Sequence, residues 1–370
     1  MACDYLSLAV EGVQQLSPYV PGKPVSELER ELGITDIVKL ASNENPLGPS
    51  PRALAAARDA LGDMTLYPDG SGHALKQALV ARFATAARPF TAAQVTLGNG
   101  SNDLLDMVAR AFLGPGRRSV YAQHAFAVYP IATRAVGAQG VEVPARDFGH
   151  DLPAMARATQ GAGVVWLANP NNPTGTWFNR EAFEAFLASV PESVIVVLDE
   201  AYGEYVDDAR YPDGLDYVAR HPNLVVTRTF SKAWGLAGLR VGYAVSSAPV
   251  ADLLNRVRQP FNVSVPALAA AEAVLDDGDY LARSAQLNRE GLAQVREGLA
   301  ALQLAQIPSI GNFITFDCAR PALPVFQALL REGVIVRPVG NYGLPDHLRV
   351  SIGLPAQNAR FLAALRKVLA

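Results

Sequence analysis

The sequence predicts an α/β fold: a large unit built on a mostly parallel central sheet flanked by helices, with a smaller α+β unit after it. Three observations point there. Between residues 119 and 245, apolar runs at 119–122, 141–143, 164–167, 194–198, 224–226 and 241–245 alternate with helical segments or loops, the βαβ pattern of a parallel sheet. Several of these runs end in polar loops, as strands do at the ligand edge of an open sheet. Past residue 248 the texture changes to long helical segments, about 264–276 and 280–303, followed by short strands and helices. A length of 370 residues also exceeds one small core. The expected division is 1–45 for an N-terminal arm and part of the small unit, 46–260 for the large unit, and 261–370 for the small C-terminal unit.

Composition narrows the function. Apolar residues make up 50% and charged residues 18% of the chain, as in a soluble globular enzyme. A net charge of −3 offers no basic face for nucleic acid or a membrane. No apolar run reaches the roughly 18 residues that a span requires. Cys3 and Cys318 are too few for a disulfide framework and read as reduced cytoplasmic thiols. The five histidines are scattered without ligand spacing, so no metal site is expected. Asp4 and Glu11 lie where a signal peptide would carry basic charge.

Taken in order, the segment before residue 40 is punctuated by prolines at 18, 21 and 24, and reads as an extended arm because each residue before a proline is pushed from the α region. Residues 37–40 form a possible short strand. The polar loop at 41–48 reads, from its residues alone, first as a plain connector. Ser50 and Pro51 fit a helix N-cap and first position. Residues 67–72 form a turn cluster. Leu75, Leu79 and Phe83 share a helical face, and Thr91 to Gln94 fits a capping box. The run 95–97 then enters Gly98-Asn99-Gly100-Ser101-Asn102, with Leu104, Val108 and Phe112 on one face of the following helix. Strand, glycine turn and helix aim free amides at an anion, although Gly-x-Gly alone is a weak signal.

The run at 164–167 leads into Asn169-Pro170-Asn171-Asn172-Pro173-Thr174-Gly175. The run at 194–198 leads into Asp199-Glu200-Ala201-Tyr202, and that at 224–226 leads toward Thr229-Phe230-Ser231-Lys232, with Arg240 eight residues on. Asp199 at a strand end reads as a ligand-edge carboxylate or as a turn acid. Lys232 can neutralise an anion, or lose its proton and form an imine with a carbonyl. Farther on, strands are expected at 313–316, 334–336 and 348–352, with a helix at 322–332 and a closing helix. Together, a glycine turn, a strand-end acid, an Asn-rich loop, a lysine and an arginine supply what pyridoxal phosphate (PLP) requires: phosphate donors, a carboxylate for the ring nitrogen, donors for the phenolate oxygen, and an amine for the aldehyde.

The motifs ASNENPLG at 41–48, YPDG at 67–70, GNGSND at 98–103, PNNPTG at 170–175, DEAY at 199–202, TFSK at 229–232, GLRVG at 238–242 and LRVSIG at 348–353 span nearly the whole chain. With them the chain resembles the fold-type I PLP-dependent aminotransferases, and within these the histidinol-phosphate aminotransferase family. The resemblance implies that Lys232 bonds the cofactor aldehyde and later shuttles a proton. It implies that Asp199 pairs with the ring nitrogen, that Asn172 and Tyr202 bond the phenolate oxygen, and that Ser101, Asn102, Thr229, Ser231 and Arg240 hold the phosphate. Phe126 falls at the position of a stacking aromatic. Tyr67 matches a tyrosine that reaches the neighbouring subunit's cofactor, which implies a homodimer. Arg337 and Arg349 match an acid-binding pair, with Tyr19 and Asn43 lining the same pocket; Arg337 also reads as half of a structural ion pair. The reaction implied is ping-pong transamination between L-histidinol phosphate and 2-oxoglutarate. Rival readings are an aromatic-amino-acid aminotransferase, a PLP decarboxylase of an amino-acid phosphate, and a non-catalytic regulator with this fold.

Overall fold

The computed structural model describes residues 3–370. Its strands, in chain order, are β1 (Val38–Lys39), β2 (Val95–Gly98), β3 (Arg118–Ala122), β4 (Gln139–Val143), β5 (Val164–Ala168), β6 (Ile195–Asp199), β7 (Leu224–Thr229), β8 (Gly242–Val245), β9 (Phe313–Asp317), β10 (Val334–Ile335), β11 (Arg337–Pro338) and β12 (His347–Ser351). Seven of them form one sheet in the order β2-β8-β7-β6-β5-β3-β4. Only β8 runs against its neighbours β2 and β7; every other pairing in this sheet is parallel. β5, β6 and β7 are buried along their whole length. Helices cover both faces of a parallel sheet, which is why these strands read as unbroken apolar runs. The carboxyl ends of β5, β6 and β7 then share one edge, where crossovers leave room for a ligand.

A second, smaller layer is an antiparallel sheet in the order β11-β12-β9, accompanied by the parallel pair β1 and β10. Its buried apolar side chains come from Val38 and Leu40 and from residues between Leu292 and Leu365. The larger core takes in residues from Ala53 to Tyr280, including the helix Val265–Leu275. Ser50 caps the helix Pro51–Ala60, its hydroxyl accepting from the Arg52 amide at 3.2 Å and donating to Asp277 at 2.5 Å.

Three expectations need correction. The run at 224–226 continues to Thr229, because Thr227, Arg228 and Thr229 stay buried and pair with β8. The expected strand at 334–336 is two short strands broken at Val336: β10 pairs with β1, whereas β11 pairs with β12. The arm lacks regular structure between residues 16 and 24, but two single helical turns precede that stretch and a helix, Val25–Leu32, follows it. Pro24 supplies the extended residue before that helix, Leu28 packs inward, and Gly33 at φ 64° ends it in the left-handed conformation.

Candidate active site

The phosphate-binding candidates converge first. β2 ends at Gly98, and Gly100 turns the chain at φ 79° into the helix Ser101–Phe112. A Cβ on Gly100 would lie 2.4 Å from an Arg240 guanidinium nitrogen, so glycine is required here by conformation and by space. The Asp103 carboxylate accepts from the Asn99 amide at 2.8 Å and from Asn262 at 2.7 Å, which holds the turn from below. Arg240, itself at φ 55°, donates to the Ser231 hydroxyl at 3.2 Å and to the Ala237 carbonyl at 3.1 Å. The Thr229 hydroxyl accepts from the Ser231 amide at 3.1 Å. Ser101, Asn102, Thr229, Ser231 and Arg240 line one cleft.

Lys232 follows immediately. Its ammonium donates to the Ser42 carbonyl at 2.9 Å and lies 5.8 Å from the centre of the Tyr202 ring. Burial first, and then the Arg349 guanidinium, push its pKa down to about 7, because a desolvated amine beside another cation resists charging. At the end of β6, Asp199 accepts from the Tyr129 hydroxyl at 2.9 Å and from the Ala201 amide at 3.2 Å. Burial raises its pKa to about 6, against the pull of those donors, Thr227 and Lys232. Tyr202, pushed up to about 12 chiefly by burial, accepts from the Asn43 amide group at 2.9 Å. Asn43, at φ 55°, is anchored through its backbone amide and side-chain oxygen to the Ser351 hydroxyl, both at 2.8 Å.

At the far end of the cleft, Arg337 and Arg349 are cross-strand partners on β11 and β12. Arg349 donates to the Asn172 side-chain oxygen and, at 2.7 Å, to the Ala41 carbonyl; its buried Nε has no partner among the described residues. Arg337 donates to the Val20 carbonyl at 2.6 Å, with the Tyr19 ring 5.6 Å away. Among the described residues, the ion-pair alternative for Arg337 is therefore not realised. All four cations of the cleft bond neutral oxygens. That concentrates positive charge in a space walled by aromatic rings, an arrangement suited to an anionic ligand.

Of the residues singled out from the sequence, Tyr19, Asn43, Ser101, Asn102, Phe126, Asn172, Asp199, Tyr202, Thr229, Ser231, Lys232, Arg240, Arg337 and Arg349 line this cleft. Tyr67 does not. It is 80% exposed and stacks on Phe261 with ring centres 4.5 Å apart. The sequence reading passed over Tyr129 and the Ser42 carbonyl. The available signal for Tyr129 was its spacing, three residues after Phe126 at the start of a helix, which puts both on one side; the rings meet edge to face at 5.8 Å.

Residues 35–365 match the family described as aminotransferase class I and II. A "Histidinol-phosphate aminotransferase 2" of Pseudomonas aeruginosa is 66% identical over 99% of both chains. A "Histidinol-phosphate aminotransferase 1" of Thiobacillus denitrificans is 61% identical over 100% of this chain and 96% of its own. The crystal structure of histidinol-phosphate aminotransferase from Sinorhizobium meliloti in complex with pyridoxal-5'-phosphate superposes with a TM-score of 0.89 at 32% identity, over 97% of each chain. An aspartate aminotransferase from Thermus thermophilus shares the fold at 22% identity, with a TM-score of 0.83 over 96% of this chain and 98% of its own.

Proposed function

The chain belongs to the class I and II aminotransferases, and within them to the histidinol-phosphate aminotransferases; from that membership we propose that it transfers the amino group of L-histidinol phosphate to 2-oxoglutarate, using PLP, in histidine biosynthesis. The residues fit the cofactor. The space that a Cβ on Gly100 would fill borders Arg240, four cations bond only neutral oxygens among the described residues, and a buried carboxylate stands at the end of β6. Ser101, Asn102, Thr229, Ser231 and Arg240 would hold the phosphate, Asp199 the ring nitrogen, Asn172 and Tyr202 the phenolate oxygen, and Phe126 a ring face. When bound, PLP supplies an aldehyde for amines and a protonated ring that accepts an electron pair released at the substrate carbon.

The chain's own groups do the rest. Lys232 Nζ, held near neutral pKa, can be an uncharged amine at pH 7, so it can bond the aldehyde and then move a proton from the carbon that bears the substrate's amino group. Asp199, ionised through its donors, keeps the proton on the ring nitrogen. Arg337 and Arg349 orient the substrate through its anionic end. The observation that carries the substrate assignment is this pair of facing guanidiniums bonded only to neutral oxygens. Two planar forks match a phosphate, and the same pair takes the carboxylates of glutamate or 2-oxoglutarate. Tyr202, itself buried, walls the half-buried Lys232 amine on one side and limits its contact with water there.

Tyr67 is proposed to act in the partner's site of a homodimer. Its exposure, beside exposed Met64, Leu66 and Phe261, supports a covered face there. Free thiols at Cys3 and Cys318 support a cytoplasmic location, and no helix among the described residues is long and apolar enough to cross a membrane. The test is an initial-rate assay with bound PLP. Glutamate should form from histidinol phosphate and 2-oxoglutarate, with parallel double-reciprocal lines. Higher kcat/KM with phenylalanine than with histidinol phosphate, or release of CO2, would overturn the assignment.

A further inference from the structure

Asp199 is buried at the end of β6, with a pKa raised toward 6, yet its proposed task requires a carboxylate. One neighbour outside the sequence-derived site bears on this. Tyr129, fully buried in the helix Val128–Ala135, donates its hydroxyl to Asp199 Oδ2 at 2.9 Å. Its ring stacks on Trp166 of β5, centres 5.4 Å apart and planes 3° from parallel, so neither the ring nor its hydroxyl is free to turn away. The other groups facing Asp199 are the Ala201 amide, Thr227 of β7, Lys232 beyond β7, and Tyr202. Among the donors, Tyr129 is the one brought by a helix from outside the strand ends.

We propose that Tyr129 is a positioning residue for the reaction: its hydroxyl fixes the plane of the Asp199 carboxylate and holds that group ionised, so that it can keep a proton on the ring nitrogen of PLP. The proposal rests on the PLP reading given above. An ionised carboxylate accepts on both oxygens, and a bond to the charged form favours that form. The Trp166 stack carries the orientation, and the hydroxyl carries the charge preference. Removing only the hydroxyl therefore leaves the packing intact and changes the carboxylate alone.

The experiment uses Tyr129→Phe. In the apoprotein, infrared difference spectra follow the carboxyl band of Asp199 against pH, with Asp199→Asn identifying the band. The midpoint should rise by about one pH unit or more in Tyr129→Phe. In the holoenzyme, kcat should fall about tenfold or more, with KM for histidinol phosphate within about twofold, since substrate binding is untouched. Site-specific 3-fluorotyrosine at position 129, a stronger donor of nearly the same shape, should move the midpoint downward, and it tests the proposal even if Tyr129→Phe does not fold. An unchanged midpoint in either variant overturns the role of Tyr129. Because that readout needs no cofactor, it stands even if the protein binds no PLP, an outcome that would instead remove the transaminase reading.

Discussion

Lys232 is a cation placed where charge is costly. Burial and the Arg349 guanidinium bring its pKa to about 7 from an ordinary 10.5, so the amine is charged below pH 7 and neutral above it. Two outcomes follow, both in the apoprotein. Capture of added PLP, followed by absorbance, should accelerate as pH rises through about 7 and then level off. Between that value and 10.5 the unfolded chain binds a proton that the folded amine has lost, so stability should rise with pH across this window. Lys232→Met should remove the first effect and flatten the second in urea titrations at pH 7 and 9; a pH dependence identical to wild type would contradict the assigned environment. Lys232, Asp199 and Asn172 were legible in the sequence because each belongs to a chemically distinctive type just past an apolar run, and Arg240 because it follows Lys232 by eight residues, immediately before the next run. Tyr129 was not, because its role depends on which strand end its helix faces, 70 residues farther along the chain, and no local pattern records that.

Among the elements, β6 and β7 matter most, since their ends carry Asp199 and Thr229. They are tied beneath the sheet. Arg228 donates twice to Glu200, at 3.0 and 2.7 Å, and once to Asp213, at 2.6 Å, while Glu200 also accepts from the Gly214 amide at 2.7 Å. Side chains alternate across a strand, so Glu200 and Arg228 face away from the cleft while their neighbours Asp199 and Thr229 face into it. Glu200→Ala leaves a buried guanidinium short of charge and should cost about 3–5 kcal/mol of stability, read by denaturant titration; a loss below about 1 kcal/mol would show the tie to be dispensable. The turn after β2 is equally specific. Gly100→Ala should lower PLP affinity by roughly tenfold or more, because the backbone conformation costs about 1–3 kcal/mol for a side chain and the Cβ displaces Arg240; unaltered affinity by equilibrium titration would contradict that geometry. The sheet strands were readable as apolar runs. Their ends were less so: β7 continues through polar Thr227 and Arg228 because β8 pairs with both, and Glu200 and Asp213 accept from Arg228. The split at Val336 is likewise set by two different partner strands.

At the scale of the whole molecule, the cleft lies between two cores, and its bonds cross between them. Asn43 meets Tyr202, Arg349 meets Asn172, and His124 meets the Tyr342 carbonyl at 2.7 Å. The proposed division of the chain near residue 260 is supported by the separate small core, although residues 263–280 pack with the large one. The second copy proposed for the active unit gives a sharp test. Lys232→Ala and Tyr67→Ala chains, each impaired alone, should regain activity when mixed and re-associated, because one of the two sites then combines an intact Lys232 with an intact Tyr67 from its partner. No recovery in a mixture shown to contain hybrid dimers would place Tyr67 outside the partner's site. The most direct measurement of the central claim is a single-turnover absorbance trace of the PLP-loaded protein with no keto acid present. Mixed with L-histidinol phosphate, the band of lysine-bound cofactor should vanish rapidly at low substrate concentration, and a pyridoxamine phosphate band should replace it. A faster response to L-phenylalanine, or no lysine-bound band at the outset, would contradict the account.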